Sequence, residues 1–304
     1  MKRNFLAAAT LMAAFGLSAQ VLEVQSMERV NLPEGQRAEQ AILSADAKTV
    51  AYSDFDGTLK LLDRNTRTST VISARGSMMD LAFTSDGGAV VFREATTDAR
   101  HLRHVSVKSF DIASRKVSEL AGPSRTLQAL DVQGATAVTV DGGRMRAKAA
   151  RRGTAAAQPA PVLSIERGLL YINLDGHREL ASYLGTDGMS YLWASISPDR
   201  QRMLFFAAGY GTYTCRLDGS DMRSLGYLYA PVWYDNETVV GMRTRNDGHV
   251  TTEGAIVAST LDGVRQTLTE PSLVAVLPSA RAGKISFTTT DGELYILNVK
   301  KAEL

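Results

Sequence analysis

The sequence predicts an all-β fold, a six-bladed β-propeller of four-stranded antiparallel blades. Short apolar runs stop at Asp-Gly or a similar turn, and three neighbouring pairs of them are 43, 44 and 48 residues apart. A second series, strand then tight turn then strand, lies upstream of each such run. No stretch shows helical periodicity, and units of this length built from short strands are the signature of a propeller.

In chain order, Lys2 and Arg3 precede an apolar run from Phe5 to Leu17 and then Ser18-Ala19-Gln20. A basic start, a core too short to span a bilayer and a small residue at the cut describe a secretory signal peptide, residues 1–19. Residues 20–304 are then read as a single exported domain, periplasmic or otherwise outside the inner membrane. No cysteine lies near the cut, so no lipid anchor is expected. No later stretch is apolar enough to be a transmembrane helix. The whole chain has 34 Lys+Arg and 32 Asp+Glu; without Lys2 and Arg3 the balance is neutral, which argues against nucleic acid as partner. Cys215 is the only cysteine, so the core must supply stability without an intramolecular disulfide. We expect a monomer.

The runs ending in turns are Leu59–Asp63, Val105–Asp111, Leu170–Gly176, Tyr213–Gly219, Ile256–Gly263 and Leu294–Asn298. Each alternates like a strand and stops where Asp, Asn or Gly suits a turn. The upstream pairs begin at Leu43-Ser44-Ala45-Asp46, Phe83-Thr84-Ser85-Asp86, Ile196-Ser197-Pro198-Asp199, Trp233-Tyr234-Asp235-Asn236 and Val276-Leu277-Pro278-Ser279, with Leu130–Val140 as a blurred copy. The last unit has three strands, and Val21–Leu32 has no repeat of its own. This N-terminal segment is therefore expected to complete the last blade and remove its open edge.

Within four-stranded blades the tight turns gather on one face and the longer second-to-third-strand connections on the other. Long loops on a rigid scaffold are where function concentrates, and here they carry cations. The first has Arg93, Arg100, His101, Arg103 and His104; the second Arg144, Arg146, Lys148, Arg151 and Arg152; the third Arg243, Arg245 and His249. Residues 147–161 are read as a flexible insertion in the third blade, and 147–158 as dispensable for folding. Eleven of the chain's aromatic residues fall between Tyr183 and Tyr234. Tyr210, Tyr227 and Tyr229 lie in loops of the same face, while Trp193, Phe205, Phe206 and Trp233 are read as packing between blades. Cys215 alternates with Tyr213 and Leu217 and is read as a small buried apolar group. The partner-binding residues expected are Tyr210, Tyr227, Tyr229, Arg243, Arg245, His249, Arg93 and Arg103.

No serine elbow, zinc-binding helix motif or phosphate-binding glycine loop occurs. His101 and His104 have no carboxylate cluster in sequence to complete a metal site. No catalytic residue, cofactor or metal is expected.

Ser197-Pro198-Asp199 before a short apolar strand, followed by Leu217-Asp218-Gly219, resembles the repeat of TolB-like propellers. Ser85-Asp86-Gly87 and Asp262-Gly263 match it in part, and the resemblance spans residues 38 to 298. It covers the propeller only, since the α/β domain that precedes it in TolB has no counterpart expected here. The resemblance implies a non-catalytic scaffold that binds a protein or peptide of the cell envelope, possibly acidic, through the long-loop face. A glycan- or small-molecule-binding propeller, or a lyase- or hydrolase-type propeller enzyme, is the alternative left open.

Overall fold

The computed structural model describes residues 20–302 other than 75 and 175; the expected signal peptide lies outside the described residues. Strand β1 (Leu22–Val30) comes first. Blade 1 follows as β2 (Gln40–Leu43), β3 (Thr49–Ser53), β4 (Leu59–Asp63) and β5 (Thr68–Ser73). Blade 2 is β6 (Gly76–Phe83), β7 (Ala89–Thr97), β8 (Arg103–Asp111) and β9 (Lys116–Ser124). Blade 3 has β10 (Leu127–Gln133), β11 (Thr136–Asp141) and β12 (Arg144–Ala149); blade 4 has β13 (Val162–Glu166), β14 (Leu169–Leu174) and β15 (His177–Leu180). Blade 5 is β16 (Tyr191–Ile196), β17 (Arg202–Ala207), β18 (Gly211–Arg216) and β19 (Arg223–Gly226). Blade 6 is β20 (Tyr229–Trp233), β21 (Thr238–Asn246), β22 (Thr251–Thr260) and β23 (Arg265–Thr267). Blade 7 is β24 (Ala275–Arg281), β25 (Lys284–Thr289) and β26 (Leu294–Lys301), with β1 as its fourth strand.

The propeller thus has seven blades, and the expectation of six is corrected. The error has one source. The sequence unit from Leu127 to Leu180 holds six strands rather than four. Its first two (β10, β11) and last two (β14, β15) follow the repeat, and the stretch between them, read as a loop, contributes β12 and β13. The unit splits into two three-stranded sheets. The connector between them stays on the tight-turn face, where the Ala160 N–H donates to Gln133 Oε1 at 2.8 Å and Gln133 Nε2 donates to the Ala160 carbonyl at 3.1 Å. At the other end of blade 4, the Tyr191 N–H donates to the Gly168 carbonyl at 2.8 Å, so the β13–β14 turn lies on the long-loop face. The innermost strand of blade 4 therefore runs opposite to the innermost strands on either side of it.

Inward-facing Val, Leu, Ile and Phe from adjacent sheets form the core, in clusters that follow the ring. Tyr52, Tyr191, Phe92, Phe205 and Phe287 are fully buried. Cys215 is buried too, and desolvation pushes its thiol up to about 12, which leaves it chemically quiet. The ring closes where β1 pairs antiparallel with β26 from Leu22↔Lys301 to Val30↔Leu294. Gln266 of blade 6 grips the start of β1: its Oε1 accepts from the Val21 and Leu22 N–H groups at 2.7 and 2.8 Å, and its Nε2 donates to the Leu22 carbonyl at 2.9 Å.

Among the described residues no helix is long and apolar enough to cross a membrane.

Candidate functional site

The innermost strands of blades 5, 6 and 7 share an irregularity. Pairing with the second strand slips between Leu192 and Ser195, between Tyr229 and Val232, and between Val276 and Ser279. In each bulge a non-glycine residue takes a left-handed conformation: Trp193 at φ 48, Ala230 at φ 44 and Leu277 at φ 50. Next come Ala194, Pro231 and Pro278, and the two prolines lose nothing where the ladder is already interrupted. A side chain held there costs about 1–2 kcal/mol, and bulges re-aim the residues they carry. One consequence is a reversed substitution pattern at Ala230. In a regular strand valine matches or improves on alanine and glycine is worse. In the bulge, Ala230→Gly is expected to be near neutral and Ala230→Val at least about 1–2 kcal/mol less stable than the glycine variant. Urea midpoints of the two variants check this, and the ordinary strand order would remove the strain argument.

All three bulges line one cavity of about 880 Å³ at the mouth of the central channel, on the long-loop face. Blade 1 contributes Glu39, Phe55 and Asp56 to it, and blade 2 contributes Ala95 and Arg103. The Arg37 guanidinium sits 4.7 Å from the Phe55 ring centre. Burial raises the Glu39 carboxyl above its ordinary range, whereas the Thr58 N–H, donating to Asp56 Oδ1 at 2.8 Å, lowers that of Asp56. Trp233 and Ser195 also line the cavity, and behind its surface Trp233 Nε1 and Ser195 Oγ are buried without a hydrogen-bond partner among the described residues. Trp233 is 9% exposed, and a buried donor left unpaired costs about 1–3 kcal/mol.

The opposite end of the channel is bridged. Arg281, at the end of β24, reaches past blade 1 to donate to the Phe83, Thr84 and Ser85 carbonyls of blade 2 at 3.4, 3.1 and 3.5 Å. Arg200 of blade 5 reaches past blade 4 to Asp131 of blade 3 at 3.0 Å. The channel is a funnel, open on the long-loop face. A smaller polar pocket of about 260 Å³ on the tight-turn face is lined by Glu28 and Arg64, which already pair with each other at 2.8 Å.

An aromatic patch adjoins the funnel. Trp193, Phe206, Tyr227 and Tyr229 stand with ring centres 5.2 to 6.5 Å apart. Phe205, Phe206 and Trp233 are buried as read, but Trp193 is 40% exposed on the funnel wall, because its bulge turns it out of the blade interface. Tyr227 is 48% exposed, and its hydroxyl donates to the Gly209 carbonyl at 2.6 Å. Tyr210 is exposed at the neighbouring loop tip.

The cationic residues divide. Two long hairpins rise on nearly opposite sides of the mouth, β7–β8 of blade 2 and β21–β22 of blade 6. Arg243, Arg245 and His249 are exposed on the second, with Arg245 Nη1 3.5 Å from Glu253 Oε1. Arg103, on the first, lines the funnel. Arg93 is withdrawn, its Nε 2.6 Å from Asp80 Oδ2 on the innermost strand of blade 2; burial raises the Asp80 carboxyl and the Arg93 charge opposes that rise. His104 Nε2 lies 3.0 Å from Asp98 Oδ2 within the hairpin. Sequence reasoning missed Trp193, Trp233, Ala230 and Leu277 as funnel residues. The signal available was Ala230-Pro231 and Leu277-Pro278, prolines inside apolar runs that continue beyond them, which mark bulges rather than turns; the turn read at Leu277-Pro278-Ser279 falls instead at Ala282-Gly283.

No protein-family model matches the sequence, and no curated protein does. Solved structures do match. A chain of the mitotic checkpoint complex aligns over 95% of this chain and 100% of its own length, at 9% identity and a TM-score of 0.59. The Swd1 β-propeller domain of Myceliophteria thermophila aligns over 90% of this chain and 100% of its own, at 11% identity and a TM-score of 0.54. The chain is a β-propeller. An oligogalacturonate lyase from Vibrio parahaemolyticus aligns over 87% of this propeller and 78% of its own chain, at 12% identity and a TM-score of 0.49. At these identities the likeness is one of fold, and function is argued from the site.

Proposed function

We propose that this propeller is an exported, non-catalytic scaffold of TolB-like kind that binds a protein or peptide of the cell envelope through the funnel and its aromatic rim. The observation that carries the reading is the threefold bulge, which holds strained residues on one wall of a cavity. Strain of this kind persists where the surrounding structure fixes it and concentrates at binding sites. A large side chain of the partner enters the funnel against Trp193, Phe55 and Leu277. Tyr227, Tyr229 and Tyr210 extend the contact, since tyrosine covers area and still hydrogen-bonds. Arg243, Arg245 and His249 on the blade 6 hairpin steer an acidic partner towards the mouth.

The reading is tested by affinity capture from envelope extract with the mature protein, Trp193→Ala, and the double variant Arg243→Glu, Arg245→Glu. One protein retained by the wild type should be reduced ~10-fold or more by Trp193→Ala, the loss of a hot-spot aromatic, and lose its salt dependence in the double variant. Equal capture by all three proteins would remove the funnel from the account. The aromatic rim supports a second reading, a glycan whose ring faces stack on Trp193 and Tyr227. Binding of envelope glycans lost in Trp193→Ala, with no protein captured, would favour it.

A further inference from the structure

Five blades have four strands, and blades 3 and 4 have three. In blade 3 the place occupied elsewhere by a fourth strand is vacant, and no other strand packs along the outer edge of β12 among the described residues. Because β12 pairs with β11 on one side alone, every second residue turns its N–H and C=O outward, the arrangement that templates another strand. Its sequence is Arg-Met-Arg-Ala-Lys-Ala. Met145 and Ala147 pack towards Val138, Val140 and Val162. Arg144, Arg146 and Lys148 project from the other side and are exposed. None of the three makes an ion pair among the described residues; Lys148 donates to the Glu119 carbonyl of blade 2 at 3.0 Å.

Charge along a sheet edge ordinarily discourages pairing. Here the charge has one sign, so it repels a second copy of the same edge and selects against any basic strand. Blade 7 shows the complementary case within this molecule. Its third strand, β26, ends in Lys300 and Lys301, and it takes its fourth strand from the distant β1, whose Glu23 lies 2.9 Å from Lys300. A basic third strand is there covered by a strand bearing acids.

We propose that the outer edge of β12 is a second docking site, which accepts an extended acidic segment of a partner protein as the fourth strand of blade 3. The incoming strand runs antiparallel to β12, with acidic side chains at alternate positions facing Arg144, Arg146 and Lys148. This proposal does not depend on the funnel.

The probe is a fluorescein-labelled peptide of alternating Glu and Val, titrated into the mature protein at low salt and followed by anisotropy. Its amide exchange footprint on the protein is measured in parallel. The same peptide N-methylated at alternate amides keeps its charge and loses its main-chain donors. Binding should weaken ~10-fold on N-methylation and ~10-fold again in the Arg144→Glu, Arg146→Glu, Lys148→Glu variant, as expected when several hydrogen bonds and cross-strand pairs are lost together. Exchange should slow at residues 144–149. The N-methyl comparison uses the wild-type protein, so it stands even where the triple variant is poorly folded. No binding, equal binding of the N-methylated peptide, or protection confined to other segments would each overturn the proposal.

Discussion

Removal of residues 20–31 from a protein that begins at Gln20 is expected to leave it without a cooperative unfolding transition at room temperature. These residues supply β1, the strand that converts an open arc of blades into a ring. Val21, Leu22 and Val30 are buried at the junction between the last blade and its neighbours. At about 1.5–3 kcal/mol for each buried side chain, their loss alone approaches the whole stability of an ordinary domain, about 5–15 kcal/mol. The deletion also strands Gln266, whose amide loses its three hydrogen bonds to Val21 and Leu22, and bares the edge of β26 to pairing with other chains. Urea titration followed by intrinsic fluorescence, with size-exclusion chromatography to detect association, checks the outcome. Leu22→Ala is the graded version, expected to cost about 2–5 kcal/mol as a fully buried leucine. A deleted protein that unfolds cooperatively at the wild-type midpoint would show that β1 is ornamental to the ring.

That closure was legible from a count of strands: the last unit lacked one, and an N-terminal segment with no repeat of its own was left to supply it. The blade count was not legible in the same way. Periodicity from Asp-Gly turns locates the third-to-fourth-strand corner of each repeat, and one such corner, at Leu174 to Gly176, serves the six strands from β10 to β15. Arg144–Ala149 alternates cation with apolar residue, the period of a strand, but its composition is that of a solvated loop. Three of its six residues are cations and two are alanine, and its partner β11 rather than its own propensity holds it extended. Context overrides propensity most easily in such short edge strands.

The funnel divides similarly. Tyr227 and Tyr229 were placed on the right face because a loop between two strands of known direction has one place to go. Trp193 was not, since its exposure depends on a bulge at φ 48 that alternation does not report. Arg93 illustrates the converse. Its position next to a loop suggested a surface cation, while its orientation into the sheet brings it against Asp80.

Deletion of residues 147–158 is the sharpest divergence between composition and structure, and it is expected to destabilise the protein by several kcal/mol. Composition alone makes the stretch a dispensable loop. In the fold, Ala147 to Ala149 are the last residues of β12, and Ala150 is buried with its N–H donating to the Ala135 carbonyl at 2.8 Å. The buried Ser109 hydroxyl donates to the Ala150 carbonyl at 2.5 Å and would lose its acceptor, at about 1–3 kcal/mol. Arg151 joins blade 3 to blade 2 through Asp86 and Asp111, each at 2.9 Å. Ser114 and then Arg151 hold the Asp111 carboxyl down to about 2. A carboxyl depressed in the folded state stabilises above its unfolded pKa of about 4, and that contribution disappears as pH falls through the folded value. Arg151→Ala should therefore lower stability at neutral pH and flatten its decline between about pH 4 and 2, a difference that urea midpoints across that range resolve. The deletion should show the same flattening on top of a larger loss at every pH, because it removes the bridge together with half of β12. An unchanged midpoint in the deletion would mean that blade 3 stands on two strands, and that the interface with blade 2 is held by Val91, Val107 and Ala137 without help from the connector.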